Sequence, residues 1–358
     1  MRTVSRNFGR FLLFSLGSVG LLGTLGCTSS TENAREVGQD PARQEASPLV
    51  LGVAGATVSV PRVDDAVSTY CQWLGYVEHW RGEVTASQAA FWETPAVTGH
   101  RVAVVGPKDE ELGLIRFVEV SANERLPAFK TIGWGAMEIT VKDVDELARR
   151  LEGSPIARFR GPNDLKFGDQ PPRIRAMQAL GPTSETLYFT QIKIQPSDYA
   201  LAVPGTNDVG RLFIAVLSAR PYNATRDFYV KTLGMKGTEQ DEFEFALDFV
   251  NKALGLPADH KIKIGLVRSA GNTHIEIDAF PKEATERQIS PGSLPPGIAM
   301  CTLAVRSVDQ VAQALKAAEV PFRRLDEMLS SPPYRGGRAL VCRGRSGEIV
   351  EFIEKKGT

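Results

Sequence analysis

An internal repeat constrains this chain more than any other feature. Tyr70-Cys71-Gln72-Trp73-Leu74-Gly75 closes one apolar-periodic stretch, and Tyr229-Val230-Lys231-Thr232-Leu233-Gly234 closes another 159 positions later. Between them the run from Val141 to Leu151 (VKDVDELARRL) is answered 164 positions on by Val305 to Leu315 (VRSVDQVAQAL). Two motifs repeated at closely similar spacings mean two halves, each holding two related units. Every unit has the same order of elements. A short apolar strand comes first (56–60, 136–141, 212–217, 298–305), then an amphipathic helix, in which Val63, Ala66, Val67, Tyr70 and Leu74 share one face. Gly75, Gly153 and Gly234 stand where a helix C-terminus favours glycine. Two or three strands follow, ending in an alternating one (114–120, 186–192, 273–277, 348–353). The expected class is α+β, four βαβββ modules.

The N-terminus is a separate matter. Arg2, Arg6 and Arg10 precede an uncharged, largely apolar run of 16 residues, 11–26. A bilayer span needs about 20 residues, so this is the layout of a secretory signal. Thr24-Leu25-Gly26-Cys27 resembles a bacterial lipoprotein processing box, with Thr24 where Leu is usual. That resemblance implies removal of 1–26, acylation of Cys27, and an exported, membrane-anchored protein, on the periplasmic face if the cell is Gram-negative. The alternative is a signal with Cys27 incidental. Residues 28–50 are polar with two Pro and read as a tether. The full chain balances 42 Lys and Arg against 42 Asp and Glu. Without 1–26 the balance is 39 against 42, a formal charge of −3 with no basic block, which argues against a nucleic-acid partner. Four Cys in 358 residues cannot frame a disulfide scaffold.

Four βαβββ units with Val63-Asp64-Asp65-Ala66-Val67 leading to Tyr70 and Leu74-Gly75, Arg220 leading to Phe228-Tyr229 and Leu233-Gly234, and a terminal Gly347-Glu348-Ile349-Val350-Glu351-Phe352 strand resemble the vicinal oxygen chelate superfamily. This group contains glyoxalase I, extradiol dioxygenases, methylmalonyl-CoA epimerase and bleomycin-resistance proteins. The resemblance covers roughly 52–355. It implies that units pair into half-barrels, here a first domain over 51–200 and a second over 208–358. It also implies a ligand on the concave face, with any metal held by the first and last strands.

Aligning the last strands places Arg116, Tyr188, Glu276 and Glu351 at the implied ligand position. The first-strand positions fall near Gly55, Gly135, Ile214 and Ala299, with Glu138 close by. No His stands on a first strand, so a two-His-one-carboxylate iron site is not expected. His79, His100 and His260 read as surface residues. His274 differs, because a period of two puts His274, Glu276 and Asp278 on one strand face. Glu276 and Glu351, with His274, are the candidate catalytic residues, and the two glutamates the candidate metal ligands. They would hold an oxygen-ligated, labile divalent ion, nearer Mg²⁺ or Mn²⁺ than Zn²⁺ although Mg, Mn, Fe, Ni and Zn all stay open, or supply a general base. The competing reading has each Glu solvated, or recruited by an arginine such as Arg338 or Arg343, and no metal at all.

Trp73, Trp134 and Phe189 suit either a core or a cavity wall. Cys71 reads as packed, while Cys301 and Cys342 in one unit leave a disulfide open. Two functions follow. One is a tethered small-molecule-binding protein with a degenerate metal site. The other is a metal-dependent lyase, epimerase or isomerase similar to glyoxalase I, working from carboxylates of the second half.

Overall fold

The computed structural model of the protein describes residues 48–120, 126–165, 173–325 and 327–355. The signal segment, Cys27 and most of the tether lie outside the described residues. Among the described residues no helix is long and apolar enough to cross a membrane.

Four βαβββ-like units are present. The first runs β1 (Val50–Val60), α1 (Val63–Leu74), β2 (Val77–Glu83), a short α2 (Ala86–Phe91), β3 (Arg101–Gly106) and β4 (Leu114–Glu119). The second runs β5 (Gly133–Val141), α3 (Val144–Arg150), β6 (Ala157–Leu165), β7 (Ile174–Leu180) and β8 (Thr186–Ile192). The third has β9 (Val209–Ala219), α4 (Tyr222–Asp227) continued by a wide turn over Phe228–Thr232, β10 (Glu242–Phe245), α5 (Asp248–Leu254), β11 (Ile262–Arg268) and β12 (His274–Ala279). The fourth has β13 (Gly297–Val305), α6 (Val308–Ala317), β14 (Phe322–Leu325), β15 (Ala339–Arg343) and β16 (Ile349–Glu354). The helices start where capping chemistry allows. Asp143 accepts from the backbone N–H of Asp145 and Glu146 at the head of α3, and Ser307 accepts from that of Gln310 at the head of α6.

The sixteen strands form two eight-stranded sheets, ordered β14-β15-β16-β13-β1-β4-β3-β2 and β10-β11-β12-β9-β5-β8-β7-β6, the second a half-barrel. The first unit therefore pairs with the fourth, through antiparallel β1 and β13, and the second with the third, through β5 and β9. This corrects the pairing of consecutive units expected over 51–200 and 208–358, since each half contributes one unit to each sheet. Linker length does not distinguish the arrangements, because 13, 16 and 17 residues separate successive units.

Strand alternation decides what each sheet presents. On one face Val58, Val60, Phe117, Met137, Ile139, Phe189, Leu217, Ile277, Leu303 and Phe352 join residues of α1, α3 and α6 in a single core shared by both sheets. Phe189 is thus core, and Trp73 packs at its margin. The two sheets are also clamped reciprocally. Tyr70 of α1 donates to Glu185 at 2.8 Å, and Tyr229 donates to Glu348 at 2.9 Å, so the repeated tyrosine of each half reaches the other sheet. Each carboxylate folds back over a glycine: a Cβ on Gly181 would lie 2.0 Å from Glu185, and one on Gly344 1.9 Å from Glu348. Cys301 and Cys342 are free thiols. Both stand in register with Val350 from opposite sides of β16, about 10 Å apart at two strand spacings, beyond disulfide reach.

Candidate functional site

The opposite strand face carries the polar residues. Ladder register identifies equivalent positions in the four units: Thr57 opposite Arg116, Glu138 opposite Tyr188, Val216 opposite Glu276, and Thr302 opposite Glu351. The last-strand residues named from the sequence are therefore equivalent. The first-strand residues lie two or three positions beyond Gly55, Gly135, Ile214 and Ala299. Each falls three residues before the last residue of its strand. Because units pair first with fourth and second with third, Glu276 and Glu351 are on different sheets and do not form one site.

In the first sheet all four positions meet. Arg116 and Glu351 form a buried ion pair at 3.0 Å. Arg116 also donates to Thr57 at 2.9 Å and to the Tyr334 hydroxyl at 3.0 Å, and its guanidinium lies 4.6 Å from the Trp92 ring centroid. Glu351 accepts from Trp92 at 2.8 Å, Tyr334 at 2.6 Å and Thr302 at 2.7 Å. Burial works against the Arg116 charge, but Glu351 and Tyr334 together outweigh it and hold the guanidinium protonated. Trp92, at the end of α2, and Tyr334, between β14 and β15, close the face with Phe91, Val97, Leu329 and Ile349. The partner of Glu351 is therefore Arg116. Arg338 pairs with Asp309 and Glu354, and Arg343 donates to the Gly347 carbonyl. The first sheet is locked.

The second sheet is open. A small pocket is lined by Phe129, Trp134, Tyr188, Val216, Asp278 and Phe280, among others. Three carboxylates gather on this face: Glu138 from β5, and Glu276 with Asp278 from β12. Burial pushes Glu138 up to about 7, against a 2.5 Å hydrogen bond donated by Thr190. Burial, then the Glu138 charge, pushes Asp278 up to about 7. Glu276 is raised well above the carboxylate range by burial and by both neighbours. Tyr188 is raised by burial and by the same three acids.

His274 lies on this strand face, as alternation requires, but it is fully buried and spoken for. Its Nε2 meets the Ala200 carbonyl at 3.0 Å, and its Nδ1 accepts from the Ser269 N–H at 3.4 Å. Burial lowers it to about 4, so it is a neutral core residue at pH 7. His79 and His100 are half-buried against backbone carbonyls of Pro107 and Glu119. Glu138 is the residue the sequence places too loosely. Counting back three residues from the end of its strand locates it.

The sequence model of the Glyoxalase/Bleomycin resistance protein/Dioxygenase superfamily matches residues 211–352. Among solved structures, glyoxalase I from Zea mays is similar over 85% of this chain and 92% of its own, at 16% identity and a TM-score of 0.57. A putative dioxygenase from Bacillus subtilis is similar over 87% of both chains, at 14% identity and a TM-score of 0.57. The fold is that of the vicinal oxygen chelate superfamily. No curated protein matches the sequence.

The resident metal of vicinal oxygen chelate enzymes can be tested against these donors. In the first sheet a guanidinium stands at a ligand position, and Glu351 is consumed by it. In the second, Glu138 and Glu276 bring carboxylates, but Val216 offers no donor and Tyr188 is held protonated. Among the described residues no group of three or more His, Cys, Asp or Glu is arranged to hold a metal ion. The residues do not fit a resident metal in either sheet.

Proposed function

We propose that this is a small-molecule-binding protein, tethered to a membrane through lipid on Cys27, whose ligand occupies the second-sheet cavity. The observation that carries this reading is the contrast between equivalent positions. In the first sheet they are filled by the Arg116–Glu351 pair, while in the second they border a cavity. A lyase, epimerase or isomerase dependent on a divalent ion lacks a donor set on either face, so binding is the better supported role.

The test uses the neutral fluorescent probe N-phenyl-1-naphthylamine with the full chain. One probe molecule is expected per protein. Ser218→Phe, which fills the cavity, should abolish the signal while leaving the circular dichroism spectrum intact. A signal insensitive to Ser218→Phe, or no binding at all, would overturn the reading. Metal content measured after purification without chelator should be far below stoichiometric. A stoichiometric divalent ion lost in Glu276→Gln would restore the enzymatic alternative. The tether is tested separately: Cys27→Ser should move the protein from the membrane to the soluble fraction, and unchanged fractionation would remove the lipid from the proposal.

A further inference from the structure

The pocket is only part of the second concave face, because the chain lays one of its own segments on the rest. The linker between β8 and β9 runs from Lys193 to Asp208, and its middle returns to the sheet. Leu201 and Ala202 are buried against Ala136, Ile214 and Val216, with Tyr199 and Leu266 at the margin. Ladder register puts Ile214 opposite both Glu138 and His274, and Val216 opposite Glu276. The segment therefore lies on the strand face that carries the carboxylates. Tyr188 and Val216 touch this cluster and also line the pocket, so segment and pocket divide one trough between them.

What holds the segment in place is replaceable. Its two ends meet through one side chain: Gln195 donates from Nε2 to the Leu201 carbonyl and accepts on Oε1 from the Leu201 N–H, both at 2.9 Å, so the loop keeps its shape without the sheet. Toward the sheet, the Ala202 N–H donates to the Asn272 carbonyl at 2.8 Å, and His274 Nε2 to the Ala200 carbonyl at 3.0 Å. Tyr199 stands edge-on to the His274 ring at 5.5 Å and 5.0 Å from the Arg268 guanidinium. Asp198 pairs with Arg268 at 2.8 Å but is 58% exposed, and such a pair contributes little. Arg268 keeps Asp241 at 3.3 Å as a second partner. Beside the loop, Ile194 and Val203 are 46% and 52% exposed, so the apolar anchoring stops at both of its ends.

We propose, building on the binding reading above, that residues 195–202 are an internal plug: they occupy one end of the second concave face, and an apolar ligand gains that end by displacing them. The small pocket beside Asp278 is then the part of the trough that the plug leaves uncovered. Displacement joins it to Ile214, Leu266 and His274. The exchange is close to balanced. The ligand restores to Ile214 and Val216 the apolar contact that Leu201 gives up, Arg268 retains Asp241, and the loop retains its Gln195 closure. The His274 N–H and the Asn272 carbonyl lose a partner, which keeps the closed form dominant and lowers the apparent affinity by the fraction that is open. The first face allows no such exchange, because Trp92 and Tyr334 close it through hydrogen bonds to Glu351 that an apolar body cannot replace.

The experiment titrates N-phenyl-1-naphthylamine into the full chain and into its Leu201→Ser and Gln195→Ala variants. Loosening the plug raises the open population, so both variants should bind the probe about tenfold more tightly than the parent, still one per protein and still abolished by Ser218→Phe. When the parent is saturated with probe, hydrogen exchange at the Ala202 amide should accelerate, because its N–H leaves the Asn272 carbonyl. Unchanged or weaker binding in the variants, or slower exchange at Ala202 in the complex, would overturn the plug while leaving the pocket a binding site. More than one probe per variant molecule, or a variant signal that survives Ser218→Phe, would overturn it in favour of local unfolding. If Leu201→Ser does not fold, Gln195→Ala decides the matter, since that side chain bonds only within the loop. Failure of parent and variants alike to bind would remove the binding reading, and the plug with it.

Discussion

The inner faces of the two sheets are built from equivalent positions and reach opposite states. In the first, Thr57, Arg116, Thr302 and Glu351 satisfy one another, and Trp92 and Tyr334 complete the set. In the second, Val216, Glu276, Glu138 and Tyr188 leave like charges facing each other beside a cavity. All four positions differ, Val216 standing for Thr57, Glu276 for Arg116, Glu138 for Thr302 and Tyr188 for Glu351, and at one of them the sign of the charge reverses. Arg116 and Glu276 are the last-strand residues of the first and third units, 160 positions apart. With a guanidinium there, the opposing Glu351 is neutralised and the face collapses into a packed secondary core. With a carboxylate there, Tyr188 takes the place of Glu351, and the acids beside it, Asp278 and Glu138, add to burial in raising Glu276. The apolar residues of the second face then divide into two smaller clusters, one around Phe280 and one around Val216. The helix inserted after the second strand or its counterpart follows suit. α2 leads directly into Trp92, which donates to Glu351, whereas α5 sets Phe249 into an aromatic wall.

Breaking the locked face should have the largest effect. Arg116→Met or Glu351→Gln leaves a buried polar partner uncompensated and should cost about 3–5 kcal/mol in chemical denaturation. The double variant Arg116→Met with Glu351→Leu should recover most of that loss. A double variant as unstable as either single one would mean the face depends on more than the pair. Next come the clamps. Tyr70→Phe and Tyr229→Phe should each cost about 1.5–3 kcal/mol by removing a donor to a buried carboxylate, and to a similar extent. A large inequality between them would show that the halves do not share the interface evenly.

The open face should respond to pH in the opposite sense from an ordinary ion pair. Asp278 and Glu138 hold protons in the folded state up to about pH 7 and release them near pH 4 when unfolded. The folded form thus binds more protons between those values, and stability falls as pH rises through that window. Asp278→Asn removes part of that penalty and should raise stability at pH 8 by about 1–3 kcal/mol, with little change at pH 4. A stability curve parallel to that of the parent protein would remove the charge strain from the comparison. The smallest effect is expected at the thiols. Cys301→Ala should leave electrophoretic mobility identical with and without reductant, because no disulfide joins it to Cys342.

Much of this architecture is legible in the amino-acid order. The repeat marks the modules, and the last-strand positions at Arg116, Tyr188, Glu276 and Glu351 are equivalent in the ladders. Period two puts Glu276 and Asp278 on one face. The pairing of units is not legible in the same way. Similarity between halves reports the two-fold relation that exchanges the sheets, and it is the same whether a unit contacts its neighbour or its distant relative. His274 illustrates a second limit. Alternation fixes its side of the strand, but the Ala200 carbonyl that engages it is 74 positions away. The first strands are harder still, because Thr57, Val216 and Thr302 carry no charge or ring to mark them among apolar residues.

The interleaved pairing has a consequence for how the molecule comes into being. All strands of the second sheet lie between Gly133 and Ala279, so that sheet can close while the last unit is still being synthesised. The first sheet cannot. β1 must wait for β13, whose register joins Val50 to Val305, and until then its pairing edge stands unoccupied. Such a wait exposes an apolar strand to every passing chain, and closure over that sequence distance is slow. The amino-terminal unit is thus the part of this protein with the greatest need of a chaperone, although in the finished fold its inner face is the more securely sealed of the two.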